Sequence, residues 1–149
     1  MLDRNRSRLV LHGAVVLFIA LVAGFGAVTD SPGPTGRSWT SVHQTLMLVG
    51  VWMLATASVY PSLVLPRREG RGLVGALVVT GYALIITLFT QAAAGVRGVA
   101  PEGPILNALA FGANVLVVLC GLLAAALTIL GARAALAAAP SPKDPRAAG

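Results

Sequence analysis

Inside the long apolar stretches of this 149-residue chain, few side chains can do chemistry: two histidines, one cysteine and scattered Thr, Ser, Asn and Gln. His43 comes first. It is followed by Gln44 and Thr45, and at helical steps of three and four it shares a face with Met47, Gly50, Leu54, Ser58 and Pro61. That face combines an imidazole, a polarisable thioether, a glycine that permits close approach and a helix-breaking proline. Neutral imidazole is the commonest metal ligand and the usual proximal ligand of haem iron. A flat apolar stripe beside it would suit a porphyrin. The same residue also reads as an interfacial histidine that hydrogen-bonds the loop between residues 29 and 40.

His12, beside Gly13, opens the first apolar stretch and reads as a helix-end group at the headgroups. It is separated from His43 by a rise on the order of the membrane thickness, which argues against both rings ligating one metal within one subunit. Pro61 removes the backbone bond to Ala57, so a kink inside the second helix is expected. Cys120 has no cysteine partner and no neighbouring charge to depress its pKa, and reads as a small buried hydrophobe. Thr80, Thr87 and Gln91 share one face, as do Asn107, Asn114, Gly121 and Thr128. Stripes of small and polar residues are common at helix contacts in lipid, as are the pairs Gly72/Ala76 and Gly121/Ala125; otherwise they line a pocket.

The elements that position these groups follow from composition. The chain is 56% hydrophobic and 11% charged, where soluble domains carry about a quarter charged residues. It could not cover itself with polar surface in water. The net charge of +6 does not point to nucleic acid, because the arginines lie at the ends of apolar segments and form no basic face with interleaved aromatics.

Four apolar segments, at about 9–28, 41–65, 72–95 and 105–136, are each long enough for the roughly 20 residues that cross a bilayer. An all-α integral membrane protein, a bundle of four transmembrane helices, is the expected fold, since an open sheet leaves its edges unsatisfied in lipid. The first segment exceeds the length of a signal-peptide h-region and is read as a retained helix. Arg4, Arg6, Arg8, Arg67, Arg68, Arg71, Arg133, Lys143 and Arg146 fall on one side, against Arg37 and Arg97 on the other. That split places both termini and the middle loop in the cytoplasm, with the protein in the inner membrane. Residues 1–136 form one membrane domain, and 137–149, punctuated by proline, are expected to be a disordered tail. The spans hold no carboxylate or lysine for a proton relay or ion site, and no hydrolytic triad or phosphate-binding glycine loop occurs.

His12-Gly13 opens the first helix, with Gly24 and Gly26 near its end. An aromatic, a short gap and His43 follow, then Pro61-Ser62-Leu63, Arg71 with Gly75, and Arg97-Gly98. Through these residues, from about residue 12 to about residue 131, the chain resembles the styrene oxide isomerase family of small four-helix membrane proteins.

The resemblance implies a homotrimer that binds haem b, with His43 as axial ligand of the iron and Met47 and Gly50 beside it. The ferric iron would act as a Lewis acid on an epoxide or a similar small apolar oxygenated substrate. The second and third helices would wall the pocket, lined by Val49, Thr80, Leu84, Leu88 and Gln91. Val49, Thr80 and Leu88 stand where the family carries asparagine, aspartate and tyrosine, which implies a divergent member, with a different and more apolar substrate or as a haem protein that no longer isomerises epoxides. Two other classes remain open: a haem-binding or electron-transfer subunit without catalysis, and a non-haem accessory membrane protein.

Overall fold

The computed structural model describes residues 4–29 and 34–139, with side chains for 4–28 and 38–139. All four long elements are helices: α1 (Arg4–Thr29), α2 (Pro34–Val59), α3 (Arg67–Ala94) and α4 (Ile105–Ala138). Among the described residues there is no strand, and each helix is long and apolar enough to cross a membrane. Residues 140–149, most of the expected tail, lie outside the described residues, and residues 137 and 138 belong to α4.

Prolines set the boundaries. Pro34 is the first residue of α2, a position where its missing N–H costs nothing, so the helix begins within the segment expected as a loop. Pro61 does not kink α2, contrary to the expectation above. The ring that would clash with the Ala57 carbonyl instead ends the α-helix at Val59, and Tyr60–Ser62 form a single 3-10 turn. The chain then runs extended through 63–66, and Pro66 caps α3. Arg67, Arg68 and Arg71 therefore sit on the first turns of α3 rather than in a loop. At its far end α3 stops where Gly95 adopts φ 65° and its N–H bonds the Gln91 carbonyl, a left-handed cap suited to glycine.

The helices pack mainly as two pairs, α1 along α2 and α3 along α4, with smaller contacts of α3 on α1 and α2. The core between α1, α2 and α3 is built from Leu9, Val16, Leu46, Met53, Leu73 and Leu77, all fully buried. At the centre of the α1–α2 contact two glycines meet. A Cβ on Gly13 would lie 3.3 Å from the Gly50 carbonyl, and one on Gly50 would lie 3.2 Å from the Gly13 carbonyl and 2.6 Å from Cγ of Leu17. Small residues that let backbones approach are how helices associate where no hydrophobic effect drives them together.

Two ties close the ends. The loop after α3 is held by Asn107, whose Oδ1 accepts from the Gly98 N–H at 2.9 Å while Nδ2 donates to the carbonyls of Ala100 and Glu102 at 2.7 Å each. Asn114 Nδ2 donates to the Gly98 carbonyl, and Gln91 Nε2 to that of Arg97. At the other end Gly131, late in α4, accepts a hydrogen bond from the Val64 N–H and packs beneath Leu63 and Leu65. Most of α4 nonetheless faces outward: 11% of its most apolar window is buried.

Candidate functional site

Glycines on α1 make room for rings on α2. A Cβ on Gly24 would lie 3.0 Å from Nδ1 of His43, and one on Gly26 would lie 3.1 Å from the Trp39 indole. Trp39 in turn meets Phe89 of α3 edge-on, with centroids 5.3 Å apart at 86°. The half-buried His43 ring is also bonded: Nδ1 lies 2.8 Å from the carbonyl oxygen of Ala20. A carbonyl only accepts, so Nδ1 carries the hydrogen, and in the neutral ring Nε2 is left with a lone pair. A backbone carbonyl on one ring nitrogen is the usual device that orients a histidine whose other nitrogen ligates a metal.

The other expected site residues divide into groups. Met47 lies one turn along from His43, partly buried against the core. Gly50, two turns along, is the buried crossing point with Gly13 and Leu17. Val49, Thr80 and Leu84 line an apolar cleft of about 550 Å³, completed by Trp52, Val117 and Gly121. Leu88 and Gln91 instead line a more polar cavity of about 430 Å³ near the α3–α4 loop, together with Ser38, Ser41 and Arg97. The structure thus brings three of the expected wall residues together and separates them from the other two.

His43 does not line the apolar cleft. At 3.6 residues per turn, Trp52 stands about 180° around α2 from His43, so His43 and the cleft face opposite sides of one helix. Thr80, the polar residue of the cleft, is buried, and its hydroxyl donates to the Ala76 carbonyl at 2.8 Å. Only its lone pairs remain for a ligand. The cleft can select by shape and apolarity and offers almost no directional polar contact. Its volume falls within the range typical of small-molecule sites.

The family model for styrene oxide isomerase matches residues 5–133. The chain belongs to the styrene oxide isomerase family. A search of curated proteins returned no significant match. The match to the styrene oxide isomerase family covers all four helices but for their outermost residues. Val49 and Thr80 both line the apolar cleft, while Leu88 lines the cavity near the α3–α4 loop.

For the haem that the family resemblance implies, the test of fit is the donor set. His43 offers one nitrogen with a lone pair and a second nitrogen anchored to backbone, which fits an axial ligand. Among the described residues no group of three or more His, Cys, Asp or Glu gathers that could hold a bare metal ion. His12 is engaged elsewhere, 3.1 Å from the Tyr82 hydroxyl with the rings edge-on. Reasoning from sequence missed Trp52, Val117 and the Ala20 carbonyl. Trp52 was visible as the residue opposite His43 on the helical wheel, but no sequence signal marks a particular carbonyl.

Proposed function

We propose that this protein is a multi-pass inner-membrane isomerase that depends on haem b and acts on an epoxide or a similarly small apolar oxygenated substrate. Four membrane-length apolar helices and family membership support the placement and the reaction class. The nine-to-two split of basic residues supports cytoplasmic termini and a cytoplasmic α2–α3 turn. The observation that carries the haem reading is the bond from His43 Nδ1 to Ala20 O, which frees Nε2 as a ligand atom.

A ferric haem held at His43 supplies a Lewis acid for an epoxide oxygen. The chain's own residues do the rest. The Ala20 carbonyl and Gly24 fix the rotation of the imidazole. Val49, Trp52, Leu84 and Val117 form a water-poor apolar wall that holds an apolar substrate without directing it. Isomerisation of an epoxide to a carbonyl compound consumes no oxidant and releases no second product, so such a cleft needs no further binding site. Because His43 and the cleft lie on opposite sides of α2, one chain does not close both halves around a single substrate. The homotrimer that the resemblance implies supplies the remedy: the His43 side of one copy set against the cleft of the next.

The apolar character of the cleft, with Val49 and Thr80 where the family is more polar, supports a second reading as a non-catalytic haem-binding or electron-transfer subunit. Absorbance of purified protein in detergent separates these readings. A Soret band in the wild type that is lost in His43→Ala supports haem, and epoxide-to-aldehyde conversion by the ferric protein selects the isomerase. Ready reduction by quinol without isomerisation selects the electron-transfer subunit. Protein that stays colourless with added haemin sinks both and leaves a non-haem accessory protein.

A further inference from the structure

At the end of the bundle opposite the His43 region, four arginines converge. Arg4 and Arg8, one turn apart on α1, and Arg67 and Arg71, one turn apart on α3, line a single cavity of about 490 Å³ together with Asn5. Among the described residues no acidic side chain lines it. Glu69, on the same turn of α3, is not among the lining residues. Helix-end arginines that serve only to orient a membrane protein have no reason to face one another, and like charges brought together repel.

Their convergence is built. Asn5 Nδ2 donates to the Tyr60 hydroxyl at 2.8 Å, tying the first turns of α1 to the 3-10 turn. The same hydroxyl lies against Gly70, where a Cβ would come within 2.5 Å of it, so the first turn of α3 approaches as closely as it does because that residue is glycine. A second cavity of about 330 Å³ adjoins the first, sharing Asn5 and Arg67, and is lined further by Tyr60, Pro61, Leu63 and Leu65. The second cavity is itself mainly polar, and Leu63 and Leu65 add an apolar edge beside the cationic one.

We propose that the arginine cavity is a phosphate-binding site, filled by the headgroup of an anionic phospholipid whose glycerol and upper chain lie along Leu63 and Leu65. Guanidinium groups suit phosphate because they present paired donors in a fixed plane. The α3 N-terminus, with no side-chain cap, adds backbone N–H groups and a favourable dipole. Free phosphate shares the headgroup chemistry but has no use for the apolar edge that Leu63 and Leu65 add. The inference rests on the membrane placement above and not on the isomerase chemistry.

The test is lipid retention by the full chain, purified from nanodiscs of mixed phosphatidylglycerol and phosphatidylcholine and read by native mass spectrometry. The wild type is expected to keep phosphatidylglycerol selectively. Arg8→Gln/Arg71→Gln is expected to bind it roughly twentyfold more weakly, from the loss of two basic contacts. Arg6→Gln/Arg68→Gln removes the same charge from outside the cavity and is expected to retain the lipid. Equal loss in both double variants would reduce the effect to general surface charge and overturn the site. Inorganic phosphate that stabilises the detergent-solubilised protein, with no selective lipid retention, would overturn the lipid as occupant. Phosphatidylcholine carried by every variant reports membrane embedding, so failure of the lipid site is distinguishable from failure of the membrane reading.

Discussion

The space that a methyl group on Gly24 would need is filled by the His43 ring: its Nδ1 lies 3.0 Å from where that carbon would stand, and the same nitrogen is hydrogen-bonded to Ala20. The ring is thus gripped by α1 from two sides while its other nitrogen is left uncommitted. Gly24→Ala should push the ring off the Ala20 carbonyl, at a cost of about 1–3 kcal/mol for overpacking. If His43 holds haem as proposed, haem affinity should fall about tenfold or more with helical content unchanged, as read by haemin titration at the Soret band and by circular dichroism. A variant that binds haem as tightly as the wild type would show that the position of this ring does not control ligation.

Gly50 gives a second measurement. Its missing side chain is occupied by Leu17 and the Gly13 backbone, so Gly50→Ala should destabilise the α1–α2 pair by about 1–3 kcal/mol. Leu17→Ala in the same chain should recover part of that loss, giving a coupling of about 1 kcal/mol or more in a double-mutant cycle. Thermal unfolding in detergent reads the cycle. Strict additivity would mean that the two residues do not meet.

Gly121 behaves in the opposite way. Nothing lies within 4 Å of a Cβ placed there, and the residue lines the apolar cleft. Gly121→Leu should therefore fold normally and fill part of the cleft. If the cleft holds substrate, turnover of the larger apolar epoxides should drop about tenfold or more through KM, from the ~1–3 kcal/mol that a few methylene groups contribute in such a pocket. Unchanged kinetics across epoxides of increasing size would place the substrate elsewhere.

Asn107 satisfies three backbone groups of the α3–α4 loop. Asn107→Ala should cost about 2–3 kcal/mol, at roughly 1 kcal/mol per hydrogen bond. Hydrogen exchange should accelerate at the Gly98 amide, with α1 and α2 unaffected. Asn107→Asp should do no better, because a carboxylate cannot donate to the carbonyls of Ala100 and Glu102. Rescue by aspartate would contradict the assigned donors.

The four helices were legible because long uninterrupted apolar runs in lipid have one solution, and α4 was bounded to within two residues of Ile105–Ala138. The start of α2 was not, because a segment rich in Gly, Pro and Ser reads as turns while Pro34 at a first helical position starts a helix. Pro61 was misread for a related reason: sequence gives the break but not whether tertiary contacts carry the helix past it. At the candidate site, face and resemblance point to His43 and to Val49, Thr80 and Leu84 as wall residues, and the structure brings the last three to one cleft. The placement of His43 and that cleft on opposite sides of α2 depends on which face α1 covers. Likewise Asn107 and Asn114 carried a helical period that suited helix contacts, and only the path of the 95–104 loop shows that they bind backbone instead.

The tie between Val64 and Gly131 joins residues 67 positions apart, across the whole α3–α4 hairpin. Its consequence concerns how the protein is made. While the ribosome is still threading α4, the extended segment before α3 has an amide without its acceptor and two leucines without their glycine. The α1–α2 and α3–α4 hairpins can each enter the bilayer as a unit, but the joint between them locks only when the last turns of α4 arrive. A chain truncated before Gly131 would carry four recognisable helices and an open seam, the kind of defect that membrane proteases read.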